Sequence, residues 1–286
     1  MKRFNKIFVL LTEEHYQEEI KKIKDFLYKI QPEKIYFDIL IEEHDYFEID
    51  FPKLKDDIKT FLKNNITINY ELIEKNKEEE IIKFSISENI DLLILFNYRE
   101  TNLVDDYIIK ILTKSNSNIL LIPAEYENLN IQKIMVATDF SDYSKEALEY
   151  GKYIQNLFQG STIKIIHIAA IPVGYHYTGL SLEEFSLRLK DNANKKMKEF
   201  LKQDDIPYEI HTVYKHKKVV SEILRIAATE KMDLLILGSQ GANSKLELFY
   251  PGSTTMKMVN IHTLPLLVVK IKERHKSLLE KIFLPS

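Results

Sequence analysis

Residues 233–260 read DLLILGSQGANSKLELFYPGSTTMKMVN and predict a buried strand, a loop that carries glycines and the first turns of a helix. Residues 234–237 form an apolar run with the length of a buried parallel strand, and the run stops at Gly238. The loop holds Gly238, Gly241 and Gly252, three of the seven glycines in the chain, and glycine lets backbone approach a ligand without a Cβ in the way. The amides and the positive dipole end of the following helix form an anion site. The stretch therefore has the outline of a phosphate cradle.

The spacing of this loop leaves two interpretations open. The loop lacks the Gly-Lys-Ser/Thr of a Walker sequence, and it does not follow Gly-x-Gly-x-x-Gly either. Short phosphate-loop patterns also occur by chance in surface loops that bind nothing. From the residues alone, the stretch is either a phosphate cradle or a glycine-bearing surface loop.

Length and composition indicate a two-domain globular protein. The chain has 286 residues, of which 45% are hydrophobic, and this size suits two cores better than one. We expect domains at residues 1–126 and 131–272, followed by an amphipathic tail at residues 273–286. Apolar residues of the tail form one stripe, which would pack either on the body of the protein or on a partner. They are Leu278, Leu279, Ile282 and Phe283.

The two halves differ in charge. Residues 1–130 hold 18 Lys and Arg against 26 Asp and Glu, a net charge of −8, whereas residues 131–286 have a net charge of +5. An anionic small ligand would favour the second half, and the acidic first half argues against extended contact with nucleic acid. No run approaches the ~18 apolar residues of a membrane span, and the N-terminal residues lack a signal-peptide core. We therefore expect a cytoplasmic protein without membrane contact. The absence of cysteine excludes disulfides and thiol chemistry.

An internal repeat organises the chain. Predicted strands at 6–11, 35–40, 70–72, 92–95 and 119–122 match those at 133–138, 163–168, 208–210, 234–237 and 266–269. The second copy is longer by about ten residues near 172–180 and by about five in the glycine loop. Because strands alternate with helices, each copy is expected to form an open parallel five-stranded α/β sheet with helices on both faces.

Ligands of such sheets lie beyond the carboxyl ends of the strands, where the strand order reverses. Asp139 follows the first strand of the second copy directly. Asp139 or Ser141 could instead cap the helix that follows, and the two roles are compatible. The eight histidines have no metal-site spacing, and His167, inside a strand, is expected to be a core residue with a hydrogen-bonded ring. The sequence predicts neither a catalytic residue nor a metal site.

Several segments of the second copy resemble a universal stress protein domain. They are residues 136–148 (VATDFSDYSKEAL), 166–168 (IHI), 233–241, 252–254 and 264–269 (LPLLVV), and the resemblance covers residues 131–271. The first 123 residues resemble the same domain more weakly, so the chain is similar to tandem universal stress proteins. The resemblance implies Rossmann-like sheets of strand order 3-2-1-4-5. It also implies that the two copies pair through their fifth strands as an internal pseudo-dimer, with a homodimer as a further option.

The resemblance implies an adenine nucleotide, ATP or AMP with or without Mg²⁺, in the second copy. By position, Asp139 is the polar group at the nucleotide, and Ile168 is the residue whose backbone meets adenine. This chain departs from the family spacing, because ten residues and not nine separate Gly241 from Gly252, and Ala242 and Ser244 replace an arginine and a glycine. The phosphate cradle would comprise Gly238, Ser239, Gln240, Gly241, Gly252, Ser253 and Thr254.

The first copy departs further from the family. Thr12 stands where the second copy has Asp139, and Phe96, Asn97 and Arg99 replace the residues of the glycine loop. We therefore expect the first copy to be vacant and structural.

Two functions remain open. The first is a nucleotide-binding stress-response regulator with at most slow ATP hydrolysis, because only Lys245 and Lys257 lie near the loop as cations. The alternative is a non-nucleotide scaffold in which both copies bind an unidentified protein partner.

Overall fold

The computed structural model describes residues 3–41, 56, 59, 67–74, 78–98, 106–202, 204–214, 218–241 and 251–271. The first half contains the elements β1 (Lys6–Thr12), α1 (Tyr16–Ile30), β2 (Lys34–Ile41), β3 (Thr67–Glu74), α2 (Glu78–Ser87), β4 (Leu92–Asn97), α3 (Asp106–Lys114) and β5 (Asn118–Pro123). The acidic connection predicted at 42–50 lies outside the described residues, and so does most of the helix predicted at 52–64.

The second half repeats this order with one addition. Its elements are β6 (Lys133–Ala137), α4 (Asp142–Leu157), β7 (Thr162–Ile171), a 3₁₀ helix (Val173–Thr178), α5 (Leu182–Leu201), β8 (Tyr208–Tyr214), α6 (Val219–Thr229), β9 (Leu234–Gly238), α7 (Ser253–Ile261) and β10 (Leu266–Val269). The 3₁₀ helix falls where the longer second copy was predicted to have its larger insertion. The tail predicted at 273–286 is outside the described residues.

The ten described strands form one sheet in the order β3-β2-β1-β4-β5-β10-β9-β6-β7-β8. Each half therefore has the predicted order 3-2-1-4-5, and its strands are parallel. The halves meet where β5 pairs antiparallel with β10, with Leu120 opposite Leu267. The predicted pairing of the fifth strands is confirmed, and it joins the halves into one continuous sheet where two separate sheets were expected. This arrangement also covers two apolar strand edges that would otherwise be open to other chains.

Helices cover both faces of the sheet, and each face has its own apolar core. Alternation along β1 sends Ile7, Val9 and Leu11 to one face and Phe8 and Leu10 to the other. The first core continues from one half of the chain into the other, since it includes residues of α1 and of α4. The halves consequently share a core and do not pack as two separate bodies.

Polar contacts reinforce the junction between β5 and β10. The side-chain amide of Asn118 donates to the hydroxyl of Tyr150 over 2.8 Å, and its carbonyl oxygen accepts from the main-chain N–H of Lys270 over 2.9 Å. Phe4 stacks on Tyr150 with ring centroids 5.1 Å apart. Asn118 thus fixes the register at which the two halves pair.

None of the helices in the described ranges combines the length and apolar character needed to cross a membrane.

Candidate functional site

The chain turns sharply where β6 ends. The N–H of Thr138 still donates to Ile166 O on β7 over 2.9 Å, and its hydroxyl then accepts from the N–H of Phe140 over 3.0 Å. Phe140 has φ 67°, a left-handed conformation that a residue with a Cβ adopts only when its surroundings hold it there. This turn leaves Asp139 exposed at its tip, beyond the carboxyl end of the strand.

The next helix begins directly after this turn. Ser141 is the N-cap of α4, and its hydroxyl accepts from the N–H of Ser144 over 3.2 Å. The Oδ1 atom of Asp139 accepts from the N–H of Ser141 over 3.1 Å. Ser141 is therefore the helix cap, as one of the two interpretations of the sequence predicted. Asp139 stabilises the turn through Oδ1, and its Oδ2 atom faces the glycine loop.

At two positions of the loop glycine is required, because other parts of the protein lie too close to leave room for a Cβ. A Cβ on Gly238 would lie 2.6 Å from the Cβ of Tyr143 and 3.0 Å from the N of Ser144, both at the start of α4. A Cβ on Gly241 would lie 2.7 Å from Oδ2 of Asp139. Gly238 is thus required by the packing of α4 on β9, and its predicted place in the phosphate cradle stays a prediction. Because Gly241 has no Cβ, the loop can lie next to the Asp139 carboxylate, as is needed if both contact one ligand.

Two hydrogen bonds tie the start of α7 to the end of β9, and a third ties the end of β9 to β10. The N–H of Gly252, the N-cap of α7, donates to Ser239 O over 2.8 Å, and the N–H of Ser239 donates to Val269 O over 2.8 Å. The hydroxyl of Thr255 donates to Gly238 O over 3.0 Å. Thr255 is absent from the residues predicted from the sequence. It directly follows Thr254, the last residue of the predicted phosphate cradle, and this adjacency could have indicated it.

No side chain caps the N-terminus of α7 in the described part of the chain. Ser253 is exposed and Thr254 is half-buried, so their hydroxyls stand at the open end of the helix. The amides of a first helical turn have no partner within the helix and carry its positive dipole end. The predicted residues Gly252, Ser253 and Thr254 therefore form an opening that suits an anion.

Ser239, whose main-chain carbonyl is bonded to this helix start, has a buried hydroxyl without a partner. The Oγ atom of Ser239 makes no hydrogen bond within the described structure, and Ser239 is 2% exposed. A buried polar group without a partner costs about 1–3 kcal/mol, and a ligand or a water at this place would supply the missing hydrogen bond. Gln240 is also buried. Ala242, Ser244 and Lys245 lie outside the described residues.

Ile168 presents its backbone to the open side of β7. In a strand, residues two apart point their main-chain groups to the same side. The carbonyl of Ile166 accepts from Thr138 on the β6 side, so the N–H and C=O of Ile168 point to that side too, where β6 has ended. On its other side, β7 continues beside β8, with Ile168 opposite His211. This placement allows the backbone contact predicted for Ile168.

His167 has the structural role expected of it. Its Nδ1–H donates to Thr138 O over 2.7 Å, and its ring lies 4.4 Å from the ring of Phe140. Burial lowers the pKa of His167, which favours the neutral ring. Within the described ranges, no group of histidine and acidic side chains is arranged to hold a metal ion.

The corresponding place in the first half is built from different side chains. Phe96, which matches Gly238 in the repeat, is 1% exposed. Glu19 reaches from α1 to the end of β1 and accepts from the N–H of Thr12 over 2.8 Å and from its hydroxyl over 3.0 Å. Burial raises the pKa of Glu19 to about 7. Arg99 lies outside the described residues.

Comparisons with known proteins agree with this architecture. Residues 130–270 match the family described as the universal stress protein family. Two relatives come from Methanocaldococcus jannaschii: universal stress protein MJ0577 is 28% identical over 159 residues, which are 49% of this chain and 96% of that protein. Universal stress protein MJ0531 is 32% identical over 146 residues, 50% of this chain and 84% of that protein.

One solved structure extends the likeness to nearly the whole chain. The crystal structure of a universal stress protein from Archaeoglobus fulgidus DSM 4304 covers 92% of this chain and 98% of its own, with a TM-score of 0.63 and 20% identity. At that identity the match shows the fold, and it covers both halves of the sheet. Together with the relative that is 32% identical over most of its length, these findings show that the chain belongs to the universal stress protein family, in a tandem arrangement.

Proposed function

We propose that the second half of the chain binds an adenine nucleotide, ATP or AMP, at the carboxyl ends of β6, β7 and β9. The observation that carries the proposal is the buried, unpartnered hydroxyl of Ser239, a residue whose main-chain carbonyl accepts from the N–H of Gly252 at the N-terminus of α7. A phosphate seated on that helix start would meet main-chain amides and the positive end of the helix dipole. The net charge of +5 in the second half favours an anion over a neutral ligand.

Each part of the nucleotide has residues suited to it. The Asp139 carboxylate is an acceptor for ribose hydroxyls, and the backbone of Ile168 lies where the adenine edge would pair with it. The phosphates would lie on the loop from Gly238 to Gly241 and on the start of α7. Mg²⁺, if it accompanies ATP, would be held mainly by the phosphates, since such ions keep several waters and few protein ligands.

We expect the site to bind its nucleotide without hydrolysing it at an appreciable rate. Stabilising a leaving phosphate recruits several cations, and the described residues near the loop offer Lys257, which is exposed on α7. Nucleotide binding would then bias the conformation of the protein or its choice of partner in the cytoplasm. In this proposal residues 1–126 form a structural domain, residues 131–272 the binding domain, and residues 273–286 a tail.

Calorimetric titration of the full chain with ATP and with AMP tests the proposal. We expect saturable binding that Asp139→Ala weakens at least tenfold, which corresponds to about 1.4 kcal/mol. Asp142→Ala is the matched control, because Asp142 is exposed three residues further along, within α4, and should leave the affinity unchanged. If neither nucleotide binds, and if no nucleotide is released from the purified protein on denaturation, the proposal is wrong and the scaffold function takes its place.

A further inference from the structure

A groove lies along β8, the last strand of the sheet in the second half of the chain. It has a volume of about 410 Å³, and Thr212 and Tyr214 of β8 line it. One face of α5 forms its wall, because the lining residues of that helix recur at spacings of three and four. They are Leu182, Glu183, Ser186, Leu187 and Lys190. The groove therefore opens where the described part of the sheet has no further strand.

Apolar side chains on this wall are open to solvent. Leu187 is 61% exposed and Leu182 is 43% exposed. The buried residues of α5 begin at Ala193, in the second half of the helix, so the first half of α5 presents its apolar residues to the groove instead of the core. Exposed apolar surface gathered in one concave place marks an interaction site.

The main chain of β8 has an open edge beside the groove. The C=O of Pro207 accepts from the N–H of Ile165 on β7 over 2.9 Å, so the main-chain groups of every second residue from 207 to 213 face β7. Those of Ile210 and Thr212 face the other way, where no described strand adjoins β8. Such an edge is a template for pairing with a strand of another chain.

We propose that a second copy of this chain occupies the groove, with its β8 antiparallel to the first about a twofold axis at Thr212. The two Thr212 residues would exchange main-chain hydrogen bonds, and Ile210 of each copy would lie opposite Tyr214 of the other. The chain already uses this mode of pairing internally, where β5 and β10 meet antiparallel. The dimer would extend the sheet in the same way across the β8 edge.

The same axis brings the two α5 helices into contact. Since α5 lies over β7 and β8, the matching helix of the second copy would lie two strand spacings away, about 9.6 Å at about 4.8 Å per spacing. Packed helices lie about 8–10 Å apart. A lone peptide strand added to β8 would leave Leu187 uncovered in the helix layer, whereas a second α5 would cover it. This difference favours a second copy as the occupant.

The charges of the groove are complementary to each other under this axis. The hydroxyls of Ser186 and Thr212 are hydrogen-bonded over 2.7 Å, which places the middle of the helical wall at the axis. Glu183 and Lys190 lie on either side of Ser186 in that wall. In antiparallel helices, Glu183 of each copy would face Lys190 of the other, and such pairs select an orientation more than they strengthen binding.

Sedimentation of the full chain over a range of concentrations tests the surface. We expect a reversible dimer, and Leu187→Lys should raise its dissociation constant by a factor of at least about ten, because like charges would be brought together in the apolar contact. Tyr28→Lys is the matched control, since Tyr28 is 54% exposed on α1, in the other half of the chain, and should leave the dissociation constant unchanged.

An exchange of charges tests the antiparallel orientation. Glu183→Lys and Lys190→Glu should each weaken the dimer about fivefold, because each change places like charges opposite each other. The double variant with both changes restores the opposite signs, and its dissociation constant should return to that of the wild type.

Three results would overturn the proposal. A chain that stays monomeric at the highest attainable concentration would show that no dimer forms. A dimer that Leu187→Lys leaves intact would show that the contact lies on another surface. A double charge variant no tighter than the single variants would refute the antiparallel arrangement. Leu187 and Glu183 are exposed and Lys190 is half-buried, so the variants should fold, and unchanged thermal melting at concentrations where the chain is monomeric verifies this.

Discussion

The side-chain amine of Lys270 donates a hydrogen bond to the main-chain carbonyl of Leu112 over 2.6 Å, and the bond joins the two halves of the chain. The amine also bonds to Ser115 O, so that it lies at the C-terminus of α3, where main-chain carbonyls lack helical partners. Lys270 is 5% exposed. A second-half lysine thus caps a first-half helix from within the protein interior.

This burial predicts a dependence of stability on pH. Burial lowers the pKa of Lys270 from 10.5 to about 7, so between pH 7 and 10.5 the unfolded chain binds a proton that the folded chain does not. The free energy of unfolding should therefore rise with pH in this window, because the slope follows the excess of protons bound by the unfolded state. Lys270→Met should remove about 2 kcal/mol of the rise between pH 7 and 9. Urea unfolding at both pH values measures this, and an unchanged slope in the variant would contradict it.

Glu19 should make the free energy of unfolding depend on pH with a sign opposite to that of Lys270. Its pKa is raised from 4.5 to about 7, chiefly by burial, so between these values the folded state binds a proton that the unfolded state lacks. The contribution of Glu19 to the free energy of unfolding should accordingly fall as pH rises from 4.5 to 7, by about 2–3 kcal/mol. Glu19→Gln keeps an acceptor for the Thr12 N–H and should flatten this fall. Glu18→Gln, at an exposed neighbour, is the control and should behave as the wild type does.

The burial of Lys270 and Glu19 could not be predicted from the sequence, although much of the fold could. The apolar runs of 6–11 and 234–237 predict strands because local periodicity determines them, and the family resemblance implies the strand order. Nothing local indicates that Lys270 or Glu19 is buried, since an isolated charged residue is usually solvated. Their partners Leu112 and Thr12 depend on tertiary packing, and so does the close approach of Gly238 to Tyr143, which no spacing in the sequence indicates.

The first half should bind no nucleotide. Thr12 stands where the second half has Asp139, and the hydrogen bonds of Glu19 to Thr12 occupy the end of β1. We therefore expect titration with ATP to saturate at one nucleotide per chain, and a crystal soaked with excess ATP to show density beside Asp139 alone. A stoichiometry of two, or density beyond the ends of β1 and β4, would refute this prediction.

Gly252→Val should abolish nucleotide binding while the domain stays folded. A Cβ at this position would lie 3.4 Å from the N of Gly241, which is tight but tolerable, whereas the two methyl groups of valine would project into the cradle. We expect at least a tenfold loss of affinity by calorimetry, about 1.4 kcal/mol. Gly174→Val is the matched control, since its Cβ would also meet its nearest neighbour, Tyr177, at 3.4 Å, in the exposed 3₁₀ helix. Equal affinity in Gly252→Val and the wild type would disprove the cradle.

Gly238 and Gly241 lie in one loop, but the first adjoins the backbone of a helix and the second the end of a side chain. Alanine at Gly238 would place its Cβ against the Cβ and backbone carbon of Tyr143, at 2.6 and 2.7 Å. Backbone cannot rotate away, so α4 must shift on β9, and such overpacking costs about 1–3 kcal/mol.

Alanine at Gly241 would meet Oδ2 of Asp139, the end of a side chain that can rotate. We therefore expect Gly238→Ala to lower the melting temperature by several degrees, about 2–4 °C per kcal/mol in a chain of this size. Gly241→Ala should leave the melting temperature nearly unchanged and weaken nucleotide binding, because it displaces the Asp139 carboxylate. Thermal melting and calorimetry of the two variants side by side measure both effects. If Gly241→Ala destabilised the fold as much as Gly238→Ala, its role would be packing, and Asp139 would not be held for a ligand.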